Sequence, residues 1–125
     1  MSKNKIKYPL VTPIIGSKEI HNVMYSLKSG WISANGSFVP KFEKLFSNYL
    51  GGGHAVAVSS GTTALQLSLA TFGIGKGDQV IVPNFTFAAT INSIIHSGAK
   101  PVLIDVEKET WTIDLEKLKK SVNSS

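Results

Sequence analysis

The residues of this chain best suited to hold a ligand are Ser59-Ser60-Gly61-Thr62-Thr63. They follow the apolar run Ala55-Val56-Ala57-Val58 and precede a helical pattern beginning near Ala64. The first N–H groups of a helix have no internal acceptor, and the helix dipole favours negative charge at that end. Gly61 lets the backbone approach an oxyanion closely, and the hydroxyls on either side add donors. Strand, small hydroxylated turn and helix together describe a phosphate cup. Small residues at such a turn also serve merely to seat a helix on a sheet, so the surrounding elements must decide between the two.

Other candidate chemistry falls away on spacing. Gly73-x-Gly75-x-Gly77 does not fit the dinucleotide fingerprint, and it follows a helix rather than a strand. Lys76 is followed by Gly77 and not by Ser or Thr, so the turn is not a Walker loop; it reads as a helix stop and a tight turn. His21, His54 and His96 fall in different elements with no metal-ligand spacing, and there is no cysteine, which excludes disulfides and thiolate metal sites. The formal charge of +5 is compatible with anionic ligands. Its lysines are scattered, without the aromatic–basic interleaving of a nucleic-acid surface, so no nucleic-acid partner is expected. No run is long enough to cross a membrane and no signal peptide is recognisable, which makes a cytoplasmic location the expectation.

The elements that must position the cup follow from hydrophobic periodicity. Residues 1–16 read as an irregular arm, broken by Pro9, Pro13 and Gly16. Ser17 is the expected N-cap of a helix carrying Ile20, Val23, Met24 and Leu27 on one face and stopping at Gly30. A loop, Trp31 to Ser37, leads to a second amphipathic helix with Phe42, Leu45, Phe46 and Tyr49, ended by Gly51-Gly52-Gly53. From His54 the pattern alternates. Strands are expected at Ala55–Val58, Gln79–Val82 and Pro101–Ile104, helices at Ala64–Phe72 and Phe87–His96, and a last helix capped by Asp114 with Leu115, Leu118 and Val122. Apolar strands joined by helix-length crossovers predict an α/β fold with a mainly parallel sheet covered on both faces, over residues 54–125, after an N-terminal arm and two helices over 1–53. Ligands of such sheets bind outside the carboxyl ends of the strands. Ser59–Thr63, Pro83–Phe87 and Asp105-Val106 all leave those ends. Pattern alone thus gives a phosphorylated small molecule beside an aromatic ring, Phe85 or Phe87.

The motifs Ala57-Val58-Ser59-Ser60-Gly61-Thr62-Thr63-Ala64-Leu65, Gly73-Ile74-Gly75-Lys76-Gly77-Asp78-Gln79-Val80-Ile81-Val82-Pro83, Phe85-Thr86-Phe87-Ala88-Ala89-Thr90, Gly98-Ala99-Lys100-Pro101-Val102 and Thr112-Ile113-Asp114 together resemble the DegT-type sugar aminotransferases. Upstream, Ser29-Gly30-Trp31-Ile32-Ser33 and Phe42-Glu43-Lys44-Leu45-Phe46 match as well. The resemblance covers nearly the whole chain in order. It implies the N-terminal part of the large domain of a fold-type-I enzyme that uses pyridoxal 5'-phosphate. Ser60, Gly61 and Thr62 would then hold the cofactor phosphate, and Phe87 would stack on the pyridine face. The loop carrying Trp31 and Ser33 would lie near the substrate, and Asp105 would be a structural strand-end carboxylate.

The family's Schiff-base lysine has no counterpart here; Lys76 and Lys100 belong to the opposite ends of the strands. The resemblance therefore implies an inactive fragment, about the first third of an enzyme. The parent would be a homodimer that transfers an amino group, from glutamate as the expected donor, to a keto group of a nucleotide-linked sugar for surface polysaccharide, including lipopolysaccharide. Two alternatives stay open. Some members of the family use the same cofactor for sugar dehydration, with His in place of the lysine. A non-catalytic binding or interaction module could also keep the half-fold.

Overall fold

The computed structural model describes Tyr8, residues 11–33 and residues 35–123. The expected irregular arm, with its Pro9, lies mostly outside the described residues, and so does Ala34 of the loop. Residues 11–16, which are described, have no regular structure. The chain folds as two compact units, Met1–Ala57 and Val58–Ser125.

The first unit holds two helices, α1 (Ser17–Ser29) and α2 (Phe38–Tyr49). The cap of α1 is Gly16, one residue before the expected Ser17: its carbonyl accepts from Ile20 N at 3.3 Å, and its own N–H donates to Glu19 Oε2 at 2.8 Å. Glu19 at the third helical position reaches back over the turn and supplies the side-chain half of a capping box, which Ser17 would have had to supply from the other side. Gly30, at φ 74°, ends α1 as expected. Tyr25 meets Phe38 edge to face at 5.9 Å, and Phe42 stacks on Phe46 at 5.8 Å. The apolar stripes of both helices are otherwise exposed.

Ala55–Val58, expected as a buried strand, is extended but joins no ladder among the described residues. The N–H of Ala57 donates instead to Glu43 Oε1 at 2.8 Å, and Val56 is 69% exposed. Apolar composition reports that a segment suits burial in a sheet; it carries no information on whether a partner strand is present.

The second unit runs α3 (Gly61–Thr71), β1 (Gln79–Pro83), α4 (Ala88–Ser97), β2 (Lys100–Ile104), α5 (Leu115–Asn123). β1 and β2 pair in parallel, Gln79 opposite Lys100 and Pro83 opposite Ile104, with α4 as the crossover. Parallel pairing needs such a crossover, and the apolar face of α4 is what makes it pack back on the sheet. The core is Val82, Ile94 and Ala99, edged by Leu69, Ile74, Val80 and Ile91 from α3 and its exit, β1 and α4. Ile81 and Leu103, on successive register pairs and so on opposite faces, remain exposed; the cover expected on both faces is incomplete among the described residues. The glycine-rich turn is the expected helix stop. Gly73 takes φ 70°, Ile74 N donates to Leu69 O at 3.0 Å, and Gly75 N donates to Asp78 Oδ2 at 2.8 Å. It leads into the amino end of β1, away from the carboxyl edge.

Beyond β2 the chain forms a small hairpin closed by the antiparallel bridge Val106–Ile113 and by Glu107 N donating to Thr112 O at 2.9 Å. Asp114 caps α5 as expected, accepting from Glu116 N at 3.0 Å and Lys117 N at 3.1 Å. Lys117 Nζ lies 2.7 Å from Asp105 Oδ2 and 3.5 Å from Asp114 Oδ2, joining the end of β2 to α5. The hydrogen bond from Lys117, with those from Val106 N and Asn84, holds the Asp105 carboxyl below its ordinary 3.8. The backbone N–H of Lys117 does the same for Asp114, and the bond to Asp105 raises the Lys117 ammonium above 10.5.

In the full-length protein, Ile94→Ala removes buried methyl groups from the centre of the core. It should lower unfolding free energy by about 2–4 kcal/mol, read from the denaturant midpoint; an unmoved midpoint contradicts this core. The Asp105–Lys117 contribution should be present at neutral pH. It should fade as pH falls from the ordinary carboxylate range through the depressed Asp105 value, and separately as pH rises through the elevated Lys117 value. Being half exposed it is small, so the direct check is a carboxyl NMR titration, in which Lys117→Met should raise the Asp105 midpoint.

Candidate functional site

Ser60 shapes the start of α3. Its backbone is extended, its Oγ accepts from Thr63 N at 3.2 Å, and its carbonyl accepts from Ala64 N at 3.0 Å. The cap therefore engages the third and fourth amides of the helix. The first and second, those of Gly61 and Thr62, meet no acceptor among the described residues. These are the two donors a phosphate needs, left together at the positive end of the helix dipole. The first turn of α3, like those of α2 and α4, contains no acidic side chain, whereas α1 carries Glu19 and α5 carries Glu116 in theirs.

Gly61 has an ordinary helical conformation, so the fold does not demand glycine there, and a Cβ would meet nothing within 4 Å. The Ser60 hydroxyl, having accepted from Thr63 N, keeps its own hydrogen for Thr63 Oγ1 at 3.0 Å or for a ligand.

What holds this turn is α4. Ser93, 1% exposed, donates from Oγ to Ala89 O at 2.7 Å and to Thr62 O at 3.2 Å. Gln66, Ala70 and Ile74 of α3 and its exit line a cleft with His96 and Ser97 at the end of α4, so the two helices run in the same direction. Their amino ends lie at the end of the unit where β1 finishes. Phe87 is the residue preceding α4, extended at φ −68° and ψ 140°, and its ring is 82% exposed. From Phe87 to Ser93 is roughly 9 Å along the helix axis. The structure thus brings Ser60, Gly61, Thr62 and Phe87 to one end of the second unit, where the Phe87 ring is exposed and the Gly61 and Thr62 amides meet no acceptor among the described residues.

Trp31 and Ser33 belong to the first unit. Trp31 is exposed at the exit of α1, where its carbonyl accepts from Ser26 Oγ at 3.1 Å and its N–H donates to Ser29 Oγ at 3.3 Å. These bonds fix the turn and leave the indole unused.

Three residues around the carboxyl edge carry more than their types suggest. Asn84, within the Pro83–Phe87 segment, donates its N–H to Ile104 O at 2.8 Å and its side-chain amide to Asp105 Oδ1 at 3.1 Å. Ser93 had a signal, a small polar residue between Ile91 and Ile94 on an otherwise apolar helix face. Trp111 had none: it adopts φ 60°, a left-handed conformation costing a non-glycine residue about 1–2 kcal/mol, and its ring contacts Phe85 at 4.9 Å. An open concavity of about 550 Å³ lies beside this hairpin, but Asp105, Glu107, Glu109 and Asp114 outnumber Lys108 and Lys117 in its lining. Its charge is wrong for a phosphate.

Known proteins share both this sequence and this fold. The chain is 48% identical over 91% of its length to the spore coat polysaccharide biosynthesis protein SpsC of Bacillus subtilis. It is 43% identical over 87% of its length to a GDP-perosamine synthase of Caulobacter vibrioides. It spans 29% of the length of each of these relatives. Among solved structures it superposes on 90% of its length with Spr1654 of Streptococcus pneumoniae in its PLP form, at TM-score 0.82, 36% identity and 29% of that chain. It likewise matches the Escherichia coli GDP-4-keto-6-deoxy-D-mannose-3-dehydratase with bound hydrated PLP, at TM-score 0.82 and 30% identity, over 91% of this chain and 31% of the other. The profile of the DegT/DnrJ/EryC1/StrS aminotransferases matches residues 13–125, and the chain belongs to that family.

Proposed function

We propose that Ser60, Gly61, Thr62 and Phe87 are the phosphate grip and ring platform for pyridoxal 5'-phosphate in an enzyme of which this chain is the N-terminal part. The observation that carries the reading is the pair of unengaged amides at Gly61 and Thr62, left open by the Ser60 cap and by the missing Cβ. Bound there, the cofactor supplies the electron sink for carbanion chemistry at the substrate carbon. The chain's own part is to fix the phosphate by two N–H donors and a helix end, and to hold the ring flat beneath Phe87. Trp31 and Ser33 are assigned to the substrate side. The exposed apolar stripes of α1 and α2 and the ladderless Ala55–Val58 fit residues that are covered by the remainder of the enzyme and by a second copy in a homodimer.

The reaction proposed for the whole protein is transfer of an amino group from glutamate to a keto group of a nucleotide-linked sugar, in the cytoplasm, for surface polysaccharide. The likeness to SpsC and to GDP-perosamine synthase supports it. A second reading, dehydration of a GDP-linked keto sugar with the same cofactor, is favoured by the likeness to the Escherichia coli dehydratase. One incubation separates them. Full-length protein, a GDP-linked 4-keto-6-deoxy sugar and ¹⁵N-amino-glutamate should give ¹⁵N in the sugar product. Loss of a sugar hydroxyl without incorporation of label selects the dehydratase instead.

The site itself is tested by substitution in the full-length protein. Gly61→Val should weaken cofactor binding more than tenfold, a loss exceeding about 1.4 kcal/mol, while leaving the unfolding midpoint nearly unchanged, since the new side chain enters open space. Phe87→Ala should weaken it by about 0.5–1.5 kcal/mol, the worth of a ring stack. Cofactor affinity unaltered in Gly61→Val, by absorbance titration, removes the phosphate assignment.

A further inference from the structure

The loop that carries Phe87 is short, Asn84-Phe85-Thr86-Phe87, and most of what holds it comes from one place. Asn84 N donates to Ile104 O, and the Asn84 side-chain amide to Asp105 Oδ1. The Phe85 ring, itself 62% exposed, rests on the Trp111 ring at 4.9 Å and an interplanar angle of 58°. The Thr86 Oγ1–Thr90 Oγ1 contact, at 3.1 Å, is local. Thr90 N also donates to Phe87 O at 3.0 Å, so three of these five restraints among the described residues lead to the end of β2 and the hairpin beyond it.

That hairpin is unusually fixed for an exposed turn. Val106 pairs with Ile113, Glu107 N donates to Thr112 O, and Trp111 N donates to Glu107 O at 3.1 Å. Thr110 Oγ1 reaches Glu107 Oε2 at 2.9 Å, and Lys117 ties Asp105 to α5. Trp111 stands at φ 60°, where glycine or asparagine is the usual occupant. A bulky residue persists in that region only where the surrounding structure over-determines it, and such outliers cluster at functional sites. Here the conformation delivers the indole to Phe85, two residues before the exposed ring of Phe87.

We propose that the 105–114 hairpin is a positioning element for the Phe87 platform, with Trp111 acting through Phe85 and Asp105 through Asn84. This rests on the reading of Phe87 as the ring platform. Trp111 and Asp105 do not themselves touch the cofactor; they set the angle of the loop from which Phe87 projects.

The test is a double-mutant cycle in the full-length holoenzyme, read by cofactor dissociation constant and by the visible circular dichroism of bound cofactor, which reports ring orientation. Trp111→Gly relieves the backbone and removes the indole; Phe85→Leu removes the other ring and leaves Trp111 intact. Each should raise the dissociation constant about fivefold and reduce the dichroic band, the double variant should be no worse than either single one, and Trp111→Phe should restore most of both readouts. Should Trp111→Gly fail to fold, Phe85→Leu carries the test alone. Unchanged dissociation constant and dichroism in the single variants, beside a loss in Phe87→Ala, overturns the positioning role, and so do effects that simply add. A silent Phe87→Ala overturns the platform reading itself, and the proposal with it.

Discussion

Everything assigned to this chain depends on two backbone donors that the fold leaves without acceptors among the described residues. A helix must begin somewhere, and its first amides are then either satisfied internally or offered outward. α5 engages its second and third amides through Asp114, whereas in α1 Glu19 takes only the N–H of the cap residue Gly16. α3 closes only half of its end, because the Ser60 cap reaches Thr63 and Ala64 and stops there. No acidic side chain lies in that turn, and a Cβ at Gly61 would meet nothing within 4 Å.

The packing around that turn ties it to α4 and the parallel pair. The core of Val82, Ile94 and Ala99 fixes α4 on the parallel pair, and the buried Ser93 ties α4 to the carbonyl of Thr62. Phe87 leads into the same α4, so one helix sets both the ring and the turn. A parallel β–α–β unit gives this arrangement directly, since the crossover helix must begin at the carboxyl end of the strand that feeds it. Placement of ligands at that edge is a consequence of chain direction and needs no special device.

Much of this is legible in the residues, for reasons that differ from element to element. Helices show because their apolar stripes at 3.6-residue spacing are local, and β1 and β2 because glycine-bounded apolar runs separated by a helix leave few arrangements. The start of α3 after a small hydroxylated turn shows because that is itself a local pattern. Ala55–Val58 misleads because pairing is a property of two segments, and only one is in view. The Gly16 cap is displaced from Ser17 by Glu19, a side chain acting three residues away. Trp111 is illegible for a deeper reason: nothing in its type announces a left-handed backbone, which only the hydrogen bonds of the surrounding hairpin impose.

The most direct measurement is the structure of the full-length protein with pyridoxal 5'-phosphate bound. Phosphate oxygens should lie at hydrogen-bond distance, about 2.7–3.2 Å, from the N–H groups of Gly61 and Thr62, with the Phe87 ring face to face on the pyridine. A phosphate seated elsewhere, with water on those two amides, would contradict the assignment of the cup.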